Sequence, residues 1–191
     1  MSSLTADKIL NASIILFSQK GYDSVTTKEI AREAGVSEMT VFRHFLNKRN
    51  LFEKAFETFI FSPQFKSFFE NNLEWDLEKD LLKISYCYQD TLLKNRQIIL
   101  MEFKNDDLTS TFDAPLLKFS GELKKLLIEY LAKMQEKGVI KENPEILAVN
   151  FLAANFGLFM TFLVNGDLTG NIGLETCVAS YVSAFAKGIT V

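Results

Sequence analysis

The chain has 191 residues, of which 48% are hydrophobic and 24% are charged, a composition that is typical of a globular protein and excludes a disordered one. This length fits one domain of ordinary size, or a small module joined to a larger one. The net charge of −3 excludes a strongly basic chain, although residues 1–50 carry seven Lys and Arg against five Asp and Glu.

No segment has the pattern of an export signal or a membrane span. Residues 1–8 lack an apolar block, and no run of 18 uncharged apolar residues occurs. The most apolar run, 146–164, is interrupted by asparagines, so we expect a buried helix there. Cys87 and Cys177 lack metal-ligand spacing and are typical of reduced thiols. We therefore expect a cytoplasmic protein without a membrane contact, a metal or a cofactor.

Apolar periodicity predicts an all-α fold of about nine helices, without convincing strand alternation. The first helix runs from about residue 5 to residue 20, and Gly21 ends it. Thr26 and Glu29 match a capping box, which satisfies free N–H groups where a second helix begins. Gly35 ends this second helix.

A third helix begins at Ser37, a good N-cap, and runs to about Phe45. Gly35 permits the left-handed backbone that a sharp turn needs, and small alanines let the two short helices approach closely. Residues 26–48 therefore predict a helix-turn-helix. Its second helix fits the major groove of DNA, with exposed N-terminal residues at the base edges.

The rest of the chain predicts longer amphipathic helices. Asn47 can cap a fourth helix, and the pattern changes after Pro63 into a short helix or loop of uncertain form. Further helices are expected at about 75–94, 97–104, 115–136, 144–165 and 174–187. Loops are expected at 105–114 and 166–173.

Residues 26–51 carry a distinctive series of motifs. They are Thr26-Thr27, Ile30-Ala31, Ala34-Gly35-Val36-Ser37, an aromatic residue at 42, His44-Phe45, and Asn47-Lys48 followed by Leu51. This series resembles the DNA-binding domain of the TetR family of regulators. The resemblance covers about the first 50 residues; the remainder matches in length and helical character. It implies a DNA-binding domain over 1–47 and a helical bundle for ligand binding and dimerisation over 48–191.

The resemblance implies DNA contacts at ten positions. The resemblance implies that Thr26 and Thr27 cap the second helix and contact phosphate. It implies that Lys28 contacts phosphate or a base edge. Base contacts are implied for Met39, Thr40 and Arg43, and the guanidinium fork of Arg43 suits guanine. Backbone positioning is implied for Ser37, Phe42, His44 and Lys48.

Some of these residues also have a purely structural interpretation. Taken alone, His44 is typical of a structural histidine, and Arg43 and Lys48 of solvated charges; the surrounding motif favours DNA contact. The family often has tyrosine at 42, whose hydroxyl can bind phosphate. Phe42 lacks this hydroxyl, so its contact must be apolar, with a sugar or a thymine methyl group. Met39 replaces the small residue common there, so operator preferences are not carried over.

The resemblance also implies an effector pocket inside the C-terminal bundle. The 18 phenylalanines suit an apolar or aromatic small molecule, although any single one is more typical of core. The predicted pocket residues are Tyr86, Tyr88, Phe103, Phe119, Asn155 and Phe159. Asn150 is a further polar candidate.

The last two helices are the predicted surface of a homodimer. Bulk is expected from Ile146, Leu147, Phe151, Leu158 and Phe159, and close helix approach from Ala148, Ala153, Ala154, Gly157, Ser180, Ala184 and Gly188. A two-fold dimer can bind both half-sites of a palindromic double-stranded operator. The alternative is that these helices form the core of a monomer.

Three classes of function compete. The favoured one is a DNA-binding transcriptional regulator, expected to be a repressor that a small-molecule effector releases from DNA. An enzyme is disfavoured because no metal cluster, P-loop, dinucleotide motif or Cys-His pair occurs. The third is a helical carrier whose helix-turn-helix is unused. The sequence leaves the effector, the operator and the direction of regulation open.

Overall fold

The computed structural model describes residues 4–59, 63–97, 99–100, 115–165 and 172–191. Within these ranges no strand occurs, and a single isolated bridge joins Ile140 and Thr190. The described residues form nine helices of seven or more residues: α1 (Leu4–Lys20), α2 (Thr27–Glu33), α3 (Glu38–Phe45), α4 (Lys48–Phe59), α5 (Pro63–Asn71), α6 (Leu77–Lys94), α7 (Pro115–Glu136), α8 (Pro144–Asn165) and α9 (Leu174–Ile189). The all-α prediction is confirmed.

One compact unit comprises Met1–Ser62 and Gln97–Phe119. Helices α1 and α4 and the segment after α1 form an aromatic cluster in which the Phe17, Tyr22 and Phe52 ring centroids lie 5.4 to 5.5 Å apart. Val41 and Phe45 bury the inner side of α3, as predicted. The core therefore fixes which side of α3 faces outward. The functional boundary predicted between residues 47 and 48 stays a prediction.

The second compact unit comprises Pro63–Arg96 and Ser120–Val191. The helices α6, α7, α8 and α9 share its apolar core, which includes Leu81, Ile84, Leu127, Leu131, Met134, Phe151, Val178 and Val182. A buried carboxylate, Asp80, is held here by the Glu74 N–H at 2.8 Å and the Tyr130 hydroxyl at 3.1 Å. Both bonds compensate the loss of water around this carboxylate.

Helix α6 begins two residues later than predicted. Trp75 has a positive φ of 61°, which a helix does not accommodate, and the Asp76 carboxylate caps the Lys79 N–H at 3.1 Å. The uncertain segment after Pro63 is helical. The helix predicted over 97–104 has helical residues at 97, 99 and 100, whereas the rest of it and the loop predicted over 105–114 lie outside the described residues.

Helix α8 buries only one side within its own chain. Leu147, Phe151 and Phe159 are inside the core, so their assignment to a dimer surface is wrong. Ala148 is also fully buried. By contrast, Ile146 is 60% exposed. The expected buried helix is thus only partly buried, because α8 is apolar on all sides and its own chain covers one of them.

By length and composition alone, Pro144–Leu163 could cross a membrane, and it is the one such stretch among the described helices. Only 28% of its most apolar window is buried. A core helix passes the same test, so this observation is weak evidence for a membrane contact.

Candidate nucleic-acid interface

The start of α2 has the predicted capping geometry. The Thr26 hydroxyl accepts the Glu29 N–H at 3.1 Å from an extended backbone. The pKa of the Glu29 carboxyl is lowered, first by its hydrogen bond from Lys20 and also by the N–H of Thr26; partial desolvation opposes this shift. The Thr26 hydroxyl thus forms its half of the capping box, and Lys20 ties the start of α2 to α1.

The turn between α2 and α3 depends on Gly35, whose φ is +68°. This left-handed residue lets the Val36 N–H reach the Ala31 carbonyl at 2.9 Å, the long bond of a Schellman motif. Ser37 then begins the next helix, because its hydroxyl accepts the Thr40 N–H at 3.2 Å. The two short helices are thus joined by a turn with defined hydrogen bonds.

The outward side of α3 presents the residues predicted to meet bases. Met39 is 77% exposed, Phe42 is 41% exposed, and Arg43 is also exposed. Since successive residues of a helix are 100° apart, Met39 and Arg43 lie on the side opposite the buried Val41 and Phe45. Phe42 lies at the edge of this outward side, next to Phe45. The Thr40 hydroxyl lies 2.8 Å from that of Ser37, at the edge of the same surface.

Two further residues that are predicted to contact DNA already have contacts within the fold. The Thr27 hydroxyl donates to the Glu38 carboxylate at 2.6 Å, which links the first turns of α2 and α3. Glu38 was not among the predicted site residues, and its role is to fix the position of α3. His44 is half-buried, with its ring 6.0 Å from that of Phe45, whereas Lys28 is exposed. DNA contact by Thr27, Lys28 and His44 stays a prediction.

Lys48 closes the loop between α1 and α2. Its ammonium donates to the carbonyls of Tyr22 at 2.8 Å and Val25 at 3.0 Å, and it lies 4.1 Å from the centroid of the Tyr22 ring. Burial lowers the pKa of Lys48, and the carboxylate of Asp23 opposes this shift. Two of its three N–H donors are thus used inside the protein, which leaves one for a phosphate.

Replacing Lys48 by methionine is expected to lower the free energy of unfolding by about 2–3 kcal/mol, because two charge-assisted hydrogen bonds to carbonyls are lost. Urea denaturation measures this loss. The matched control is Lys54→Met, since Lys54 is exposed and pairs with neighbouring Glu57. Operator affinity should also fall on every sequence, with a shallower salt dependence. A stability equal to that of the control would contradict the structural role of Lys48.

The predicted effector residues divide into buried and exposed ones. Tyr88 and Asn155 are buried, and the Gln89 amide donates to the Asn155 carbonyl at 2.7 Å. Gln89 Oε1 and the Ser85 hydroxyl are also buried and have no hydrogen-bond partner among the described residues. Ser85 and Gln89 were not among the predicted pocket residues, although both stand at inward positions of the apolar pattern of α6.

Among the other predicted pocket residues, one lies at a surface groove that Gln89 also lines. Tyr86 is 40% exposed and lines a surface groove of about 410 Å³ between α6 and α9. Asn150 is exposed, so it is not an interior contact. Phe159 is buried in the second unit, Phe119 is buried and grouped with the first unit, and Phe103 lies outside the described residues.

Burial raises the pKa of Tyr88 to about 12, and a hydrogen bond with Ser120 opposes this shift. At a pH below the ordinary tyrosine pKa near 10, Tyr88 is protonated in both the folded and the unfolded chain, and its contribution to the free energy of unfolding is fully present. As the pH rises above that value the unfolded chain ionises first, so the free energy of unfolding should fall by about 1.4 kcal/mol per pH unit from this group. Urea denaturation between pH 8 and 11 tests this expectation. Tyr88→Phe should lose less stability over the same range, and equal slopes would contradict the assignment.

Comparison with known proteins agrees with this geometry. The model of the family described as bacterial regulatory proteins, tetR family, matches residues 9–55. The HTH-type transcriptional regulator YvkB of Bacillus subtilis is 35% identical over 187 residues, which cover 97% of each chain. IcaR of Staphylococcus aureus, a negative transcriptional regulator of the biofilm operon icaADBC, is 37% identical over 49 residues, 26% of each chain.

A solved structure shows the same fold over the whole chain. The TetR-family regulator from Mesorhizobium loti aligns with a TM-score of 0.80 at 20% identity, and the alignment covers 100% of this chain and 98% of that one. The fold and the relatives are those of DNA-binding regulators, which are not enzymes. Because YvkB matches over nearly the full length, the chain belongs to the TetR family of transcriptional regulators.

Proposed function

We propose that this regulator is a repressor that binds a palindromic operator as a homodimer and leaves it when a small molecule binds its C-terminal bundle. The observation that carries the DNA-binding part is the outward side of α3, where exposed Arg43 stands beside Met39 and Phe42. Repression is supported by the relation to IcaR, which is a negative regulator. Action on bacterial DNA would place the protein in the cytoplasm.

The DNA complex follows from this geometry. A short helix with its outward side free fits the major groove, where a guanidinium can donate two bonds to guanine O6 and N7. The start of α2, with Thr26 and exposed Lys28, is suited to phosphate. Thr27, Ser37, Thr40, His44 and Lys48 would orient these groups or complete the phosphate contacts.

The homodimer is supported by a stripe of small and apolar side chains that a single chain leaves exposed. On α8, Val149 is 47% exposed, and Ala153 and Gly157 follow it at four-residue spacing. On α9, the exposed small residues with the same spacing are Ser180, Ala184 and Gly188. Small residues permit close helix approach, so these two helices can pack against their counterparts in a second copy.

The effector site is supported by the buried polar cluster between α6 and α8. An unpaired buried oxygen costs about 1–3 kcal/mol, and both Ser85 Oγ and Gln89 Oε1 are in this state. An apolar or aromatic molecule with a hydrogen-bond donor would satisfy them, with Tyr88, Asn155 and Phe159 as neighbours to test. Contacts by Tyr86, Phe103 and Phe119 stay predictions.

Selection of bound duplexes from a random library tests the proposal. Purified protein at defined salt should enrich a palindrome whose half-sites are about one helical turn, or roughly 10 base pairs, apart. Weak binding without enrichment, abolished by moderate salt, would contradict it and favour the alternative of a helical carrier. If a palindrome is enriched, the products of the genes beside the enriched sites indicate candidate effectors.

A further inference from the structure

The recognition helix α3 carries an apolar strip that the core does not use. Met39 is 77% exposed, Phe42 is 41% exposed, and Leu46, directly after the helix, is 72% exposed. Positions i, i+3 and i+7 follow one stripe along a helix. Val41 and Phe45 bury the other side, so this strip contributes nothing to the interior of its own unit.

The backbone at the end of the strip is unusual. Leu46 has a φ of +64°, in the region that favours glycine or asparagine, and its N–H donates to the Phe42 carbonyl at 2.8 Å. Leucine does not favour this backbone conformation, and this leucine is not buried. Folding alone therefore does not explain why a leucine is found here. Its exposed side chain extends the apolar surface of Met39 and Phe42.

The major groove offers few apolar partners to such a strip. Each base edge there presents hydrogen-bonding atoms, and thymine adds the C5-methyl group. Met39 and Phe42 are three residues apart, or about 4.5 Å along the helix axis, close to the 3.4 Å between successive base pairs. Arg43 directly follows Phe42 and is about one helical turn after Met39, so its guanine contact would fall within one or two base pairs of theirs.

We propose that Met39 and Phe42 contact thymine C5-methyl groups, so that each operator half-site has thymine within one or two base pairs of the guanine bound by Arg43. The proposal rests on the function proposed above and adds the base preference of the half-site. It follows from the exposure and spacing of the strip on this chain.

Deoxyuridine provides a direct test, since it retains every hydrogen-bonding atom of thymidine and lacks only the methyl group. Each thymidine of a selected half-site is replaced in turn, and the affinity of the full-length protein is measured by fluorescence anisotropy. We expect about a fourfold loss for each contacted methyl, at one or two positions. In Met39→Ala or Phe42→Ala, one of these losses should disappear. Leu93→Ala, which shortens an exposed leucine of the second unit, should retain both losses.

The outcomes separate the proposals. If every deoxyuridine duplex binds as tightly as its thymidine parent, the thymine contact is overturned while operator binding stands. If the losses persist in both Met39→Ala and Phe42→Ala, their assignment to these side chains is overturned. If the wild-type protein enriches no duplex at all, the proposed function fails and this inference fails with it.

Discussion

Replacing Ala153 by glutamate is expected to convert the proposed dimer into a folded monomer that no longer holds its operator. Ala153 is exposed on α8, in line with Val149 and Gly157, so the new carboxylate meets water in the single chain. In the proposed dimer it would be buried against a second apolar helix, and an unpaired buried charge costs several kcal/mol. Because each recognition helix binds only half of a palindrome, operator affinity should fall about a hundredfold or more.

Sedimentation velocity measures the change of mass, and anisotropy with the selected operator measures the affinity. Ser67→Glu is the matched control, because it adds the same charge to an exposed position of the second unit, on α5. A cooperative unfolding transition of the monomeric Ala153→Glu variant in urea would show that it folds. A dimer of unchanged strength in Ala153→Glu would remove α8 from the interface and overturn the proposed surface.

The helix-turn-helix could be predicted because its determinants are local. Thr26, Gly35 and Ser37 each act within five residues of their own position, through a cap, a left-handed turn and a second cap. Such short-range chemistry leaves a residue pattern that needs no knowledge of the rest of the fold. The bounds predicted for α7 and α8 are confirmed for a similar reason, since proline begins both helices.

The orientation of α8 could not be predicted in the same way. The helix is apolar on nearly every side, so periodicity does not distinguish a face buried in the chain from a face free for a partner. Leu147 and Phe151 lie inside and Ile146 lies outside because α6 and α9 cover one side of α8. The choice of Leu147 and Phe151 as interface residues failed for this reason.

The sequence pattern also could not predict the long-range polar contacts. Gln89 and Asn155 are 66 residues apart in the chain, and Lys48 reaches carbonyls 23 and 26 residues before it. Neither contact has a periodic or motif signature. The positive φ of Trp75 is a further case, since a tryptophan gives no local indication of a left-handed backbone.

Arg43→Ala is expected to weaken specific operator binding by about 1–3 kcal/mol, roughly five- to 150-fold, with the loss confined to one base step. The guanidinium is exposed on the outward side of α3, so its removal leaves the core intact. A bidentate pair with guanine discriminates between bases because no other base edge offers the same two acceptors. Arg43→Lys should recover only part of the loss, since an ammonium lacks the planar fork.

Affinities for a set of operators, each changed at one base pair, distinguish base contact from phosphate contact. Arg43→Ala should lose its preference at one position and retain it at the others, whereas Arg96→Ala, which removes an exposed arginine outside the motif, should keep all preferences. A uniform loss on every operator, together with a shallower salt dependence, would instead assign Arg43 to a phosphate. The base specificity of α3 would then depend on Met39, Thr40 and Phe42 alone.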